Sequence, residues 1–230
     1  MPAQLDTTFK MITHFQQLAE RDKASLAREL HDELGGLLIG AVMDLAFVAT
    51  QVAALGDDTK ERMRRVRQAL GSAIELTRRI TEQLHPTLLD NVGLFAALRW
   101  QLGNACAKTD IRCTDELPNF EPRLTSGASI ALFRIAQEAL LIGLKREGVT
   151  AIELVGTMDD KALSIQIVGH GANQVDEPSD LGNVTLESIR HRIRALGGVV
   201  NVDHPLDGGI VVAVSTPIAN VVTPASDPGQ

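Results

Sequence analysis

Two long proline-free stretches of helical periodicity, joined by one short turn, constrain this chain more than any other feature. From Leu5 to about Leu55 there is no proline. Leu26, Leu30, Leu34, Leu37, Ala41, Leu45, Val48 and Val52 recur at three- and four-residue steps, which is one face of a helix. Gly56-Asp57-Asp58 reads as a turn with acidic residues suited to a helix start. A second helix is predicted from about Thr59 to Leu84, striped by Met63, Val66, Leu70, Ala73, Thr77, Ile80 and Leu84, with a basic outer face. Pro86 ends it, since proline lacks the N–H and restricts the residue before it. Such an antiparallel hairpin has one layer and cannot cover both stripes. Pairing of two hairpins into a dimeric four-helix bundle is the simplest solution.

The second half changes character after about Asp110. Leu117 to Pro122 reads as a loop, and Ser126 to Glu147 as a third amphipathic helix ended by Gly148. Ala151–Val155 and Leu163–Val168 alternate with the period of strands. A Gly-rich loop is expected from Gly169 to Asn183, and a helix from about Thr185 to Leu196. Val199–Asp203 and Ile210–Thr216 follow as a hairpin. The fold class is therefore α+β: a helical hairpin, then an α/β sandwich. The division expected is 1–105 for the hairpin, 106–218 for the sandwich and 219–230 for a disordered tail.

Charge and cysteine content exclude some functions. The net charge of −7 argues against a general nucleic-acid binder, which needs a basic face. Cys106 and Cys113 have neither CxxC spacing nor a nearby His pair, so a metal site is not expected and two free thiols are. The stretch Leu34–Gly56 is interrupted by Asp44, and its uncharged runs are short against ~30 Å of hydrocarbon. The first ten residues lack an apolar signal core. No membrane span and a cytoplasmic location are the resulting expectations.

Chemistry concentrates in Ser25 to Leu38. His31 lies mid-helix, with Asp32 and Glu33 beside it and with Arg28 and Gly35 on its face. Gly35 and Gly36 each cost a helix about 0.5–1 kcal/mol relative to alanine, and bare backbone beside the histidine would admit another molecule. An imidazole nitrogen can attack phosphorus while a carboxylate orients the ring. Arg28 would neutralise a phosphoryl group on His31, since such transfers need mostly positioning and charge. Leu34, Gly35, Leu38 and Val42 are the candidate partner-docking residues.

Here the residues carry a resemblance. SLARELHDELGGLL resembles the phosphoacceptor helix of the nitrate-sensor and DesK-type class of bacterial histidine kinases. LHPTLLDNVGLFAALRWQL, Leu84 to Leu102, resembles that class's segment at the end of the second helix. Phe133 to Val155 and Leu186 to Gly198 resemble two helices of its GHKL-type ATP-binding domain. The resemblance implies His31 as phosphoacceptor, Asp32 as base, a homodimer, and response-regulator receiver domains as partners.

Three positions depart from the class pattern on the nucleotide side. Ile142 stands where an Asn would hold magnesium, Gly169 where an Asp would read adenine, and Gly182 begins what remains of a phosphate-cradling loop. Glu187 would repel phosphate there. The expectation is a phosphohistidine carrier that dispenses with ATP and binds no cofactor or metal itself. It would take its phosphoryl group from a receiver-domain aspartate of an upstream hybrid kinase and pass it to a response regulator, whose receiver supplies magnesium. The alternatives are an ATP-dependent sensor kinase with an atypical nucleotide site and a non-catalytic adaptor.

Overall fold

A computed structural model describes residues 2–51, 56–107, 109–171, 180–205 and 209–223. The chain divides into two compact units, Met1–Thr87 and Leu88–Gln230.

The first unit is helical. Helix α1 spans Pro2–Glu29, a π-helical turn spans Leu30–Leu34, α2 spans Gly35–Gln51 and α3 spans Asp57–Leu84. Gly56 caps α3, with Asp57 and Asp58 in its first turn, where negative charge suits the helix dipole. α3 returns along α2 and α1, the hairpin expected. Its buried side carries Thr77 and Thr81, whose hydroxyls donate to the carbonyls of Ala73 (2.9 Å) and Thr77 (2.8 Å). These bonds satisfy polar groups on an otherwise apolar face. The helix expected to run unbroken from Leu5 to about Leu55 is interrupted at the π-turn. Val52 of its stripe falls outside the described residues.

The second unit contains α4 (Thr87–Val92, beginning at the junction), α5 (Leu94–Cys106), β1 (Arg112–Glu116), α6 (Ser126–Leu144), β2 (Ala151–Met158), β3 (Ala162–His170), α7 (Asp180–Ala195), β4 (Val199–Asp203) and β5 (Ile210–Pro217). The sheet order is β1-β2-β3-β5-β4. β1 runs parallel to β2, with Arg112 opposite Ala151. The other pairs are antiparallel. Alternate residues Ile152, Leu154, Leu163, Ile165, Ile167, Ile210, Val212 and Val214 are buried under α5, α6 and α7, joined by Phe95, Leu98, Phe133, Ile189 and Ile193. Residues between them, such as Glu153, Gln166 and Ala213, remain half-exposed. One covered face and one wetter face produce this alternation in antiparallel strands. The mixed helix-and-sheet class read from the sequence is the one observed.

Several boundaries differ from expectation. The chain divides after Thr87, not at residue 105, because α5 contributes Leu94, Phe95, Ala97, Leu98 and Leu102 to the core of the second unit. Arg99 fixes α5 further: its Nε donates to Asp115 (3.0 Å), and its Nη2 to the carbonyls of Leu117 (2.7 Å) and Pro118 (2.9 Å). Cys106 and Cys113 are not free thiols. They form a disulfide, with a Cα separation of 6.4 Å that lies within the bridging range; the end of α5 and β1 are brought together by the short link between them. Of the tail expected from residue 219, Val221 is buried, and the Thr223 N–H donates to the Arg123 carbonyl at 2.9 Å. Residues 224–230 lie outside the described residues.

Two helices have the length and apolar composition to cross a bilayer: Leu18–Thr50, counted through the π-turn, and Ser126–Leu144. The expectation that no segment qualifies is thereby corrected, since the helix through Leu34 is longer than the apolar run weighed in the sequence. Cytoplasmic residence loses that support. Half of the second segment is buried in the core of its unit.

Candidate active site

His31 sits within the π-turn, one residue into it. The turn arises where the Gly35 N–H donates to the carbonyl of Leu30 rather than to that of His31, a five-residue hydrogen bond that widens the helix locally. His31, Asp32 and Glu33 are all exposed. Among the described residues, no side chain or backbone group is bonded to the His31 ring or the Asp32 carboxylate. An exposed imidazole with an adjacent carboxylate is competent to act as a nucleophile whose ring proton is taken or oriented locally.

The other expected residues separate into two groups. Arg28 is exposed, but its Nε donates to the Ala24 carbonyl at 3.2 Å, so its guanidinium leans one turn toward the start of the helix, away from His31. Leu34 is 41% exposed. Gly35, Leu38 and Val42 are half-buried on the hairpin. A Cβ at Gly35 or Gly36 would meet nothing within 4 Å, so packing does not demand glycine at either. Sequence reasoning missed how much of α2 is open: Leu37 is 72%, Met43 68% and Phe47 64% exposed. The signal was the width of the apolar surface, since Ile39, Met43 and Phe47 fall off the stripe that was traced.

The positions read as nucleotide-site losses lie in regular structure. Ile142 is half-buried on α6 and packs against the core. Its hydrocarbon side chain cannot ligate a hard cation, so magnesium does not fit that position. Gly169 is buried inside β3 rather than in a loop; a Cβ there would meet Ile210 at 3.3 Å and Ile152 at 3.5 Å. Gly182 lies in the first turn of α7, and Glu187 well inside that helix rather than at its start. Ala172 and Asn173 of the expected loop are outside the described residues. On α6 and α7, Ser188 Oγ donates to Glu138 Oε1 (3.1 Å) and Arg192 Nε lies 3.6 Å from the same oxygen.

The exposed histidine lies in a segment that known proteins share. Residues 22–89 match the family HisKA_3, described as histidine kinase. The resemblance to sensor histidine kinases read from the sequence is thus borne out. The chain is 28% identical over 204 residues to the sensor histidine kinase MctS of Rhizobium johnstonii, covering 87% of this chain and 44% of that protein. It is 24% identical over 213 residues to the oxygen sensor histidine kinase NreB of Staphylococcus carnosus, covering 92% of this chain and 60% of that one. The blue-light activated histidine kinase of Erythrobacter litoralis EL346 superposes with a TM-score of 0.49 at 16% identity, covering 73% of this chain and 64% of that structure. The chain spans about half the length of the curated relatives it matches.

These comparisons overturn the expectation of a carrier that dispenses with ATP. The alignments cover 87% and 92% of the chain, hence both units, and the proteins aligned are sensor histidine kinases. A kinase takes its phosphoryl group from ATP. Of the positions that expectation rested on, Gly169 is the penultimate residue of β3 and Gly182 lies in the first turn of α7.

Proposed function

We propose that this chain is the catalytic region of an ATP-dependent sensor histidine kinase of a two-component system, with His31 as its phosphoacceptor. The observation that carries the reading is the exposed His31–Asp32 pair inside the segment that matches the histidine kinase family. In the first step a nitrogen of His31 attacks the terminal phosphorus of ATP. The bond from that phosphorus to its bridging oxygen breaks, and ADP leaves. Asp32 orients the ring and stabilises the imidazolium that forms. In the second step the phosphorus–nitrogen bond breaks as a receiver-domain aspartate of a response regulator takes the group. Leu34, exposed beside His31, is assigned to receiver docking. The open apolar side chains farther along α2, Met43 and Phe47, are assigned to a second copy of the hairpin, since monomers rarely leave such surface uncovered.

The test is incubation of the pure protein with ATP labelled on its terminal phosphate. Acid-labile, alkali-stable label that disappears in His31→Gln is the expected result. A protein that stays unlabelled by ATP at every concentration, yet takes label from a phosphorylated receiver, would refute the kinase reading.

A further inference from the structure

We propose that the π-turn at Leu30–Leu34 is what presents His31 to solvent, and that Gly35 and the extra residue of the turn are positioning elements for phosphoryl transfer. This rests on His31 being the phosphoacceptor. The buried and half-buried apolar positions up to the first residue of the turn are Ala24, Ala27 and Leu30. Beyond it they are Gly35, Leu38, Val42 and Leu45. Steps of three and four residues follow one face of an α-helix. The single longer step, Leu30 to Gly35, coincides with the turn and with the Gly35 N–H to Leu30 carbonyl bond.

A regular helix continued from Ala27 would cover Leu30, as observed, and also His31 and Leu34, four and seven residues on. The last two are exposed, and Gly35 takes the covered place. The turn removes the imidazole from the face that meets α3 and substitutes a residue with no side chain. Glycine is not required by space, since a Cβ there meets nothing within 4 Å. Its value is a backbone that accepts the wider turn without the helix-stabilising bias of alanine.

Deleting Glu33 tests this. Removing one residue shortens the step from Leu30 to Gly35 to a normal helical step and leaves α2 in phase. Glu33→Ala, which keeps the length, is the control. The first readout needs neither ATP nor a partner: acylation of His31 by diethyl pyrocarbonate in the full chain, followed by peptide mass spectrometry against the exposed His14. The second is labelling from ATP.

Glu33→Ala is expected to behave as the parent. The deletion variant is expected to keep its helix content while His31 acylation slows several-fold relative to His14. Its labelling is expected to fall on the order of a hundredfold, the effect of misplacing a reacting group by about 1 Å. Parent-rate acylation in a folded deletion variant overturns the presentation claim. Protection of His31 without loss of labelling overturns the positioning claim. If the deletion prevents folding, Gly35→Ala/Gly36→Ala decides by the same readouts: slowed acylation supports the proposal and the parent rate overturns it. A parent that is acylated normally but never labelled by ATP sinks the kinase reading and leaves the geometry tested.

Discussion

Reducing the Cys106–Cys113 disulfide should weaken the second unit by about 2 kcal/mol. The bond closes a loop between residues separated by 7 positions. Loop-closure entropy, about 2.1 + 1.5R ln n cal/mol/K, gives roughly 8 cal/mol/K for this loop, or ~2.4 kcal/mol at 25 °C. Arg99 still ties α5 to Asp115, Leu117 and Pro118 after reduction, so α5 stays docked. The effect is therefore the release of the unfolded chain rather than loss of core. At about 2–4 °C per kcal/mol for units of this size, the midpoint of the second unit's transition falls by roughly 5–10 °C. Calorimetry of the full chain with and without a phosphine reductant reads this directly. Thiol titration of the denatured chain supplies the control: none before reduction, and afterwards the 2 cysteines of the sequence. An unchanged midpoint after complete reduction would refute the reasoning, and so would two titratable thiols in the untreated protein.

Three other outcomes follow from the second unit. Phe133→Ala, at a fully buried position between helix and sheet, should destabilise this unit by about 3–5 kcal/mol, read by urea unfolding. Glu121 accepts the N–H groups of Phe95 (2.9 Å) and Ala96 (2.7 Å) at the start of α5. Glu121→Gln loses the charge at that helix end and should cost about 0.3–1 kcal/mol, with the difference shrinking in high salt. Burial of the His191 ring, followed by the nearby Arg192 and Arg194, holds its pKa below the ordinary histidine value. The folded state then binds fewer protons than the unfolded one. Its contribution is neutral above about pH 6.5 and turns destabilising as pH falls through the histidine range. His191→Gln should flatten the decline of the unfolding midpoint with acidification.

Legibility in the sequence followed periodicity. The α3 stripe through Leu70, Ala73 and Thr77 and the alternation of Ile152, Leu154, Ile165 and Ile167 reflect burial on one side, which sequence spacing records. β1 was missed because its residues, Arg-Cys-Thr-Asp-Glu, are mostly exposed on a sheet edge and carry no alternation. α5 read as an extension of the hairpin because its apolar residues suit either neighbour; only its packing on α6 and β1 decides. The π-turn was hidden because one five-residue step looks like an irregularity in a leucine-rich helix. The disulfide needed the approach of α5 to β1, which no spacing rule shows. His31 and Asp32 stand out in the sequence because the pattern around them lies within a single helical segment, the one the family model matches. The functional reading built on Ile142, Gly169 and Gly182 went beyond what single positions carry, since both relatives aligned over most of the chain are sensor kinases.

The most direct measurement is mass-spectrometric localisation of phosphate on the protein after exposure to ATP alone, under conditions that preserve phosphohistidine. Modification is expected at His31 and at none of the other five histidines, six being present in the chain. Phosphate on a different residue, or an unmodified His31 after prolonged exposure, would contradict it.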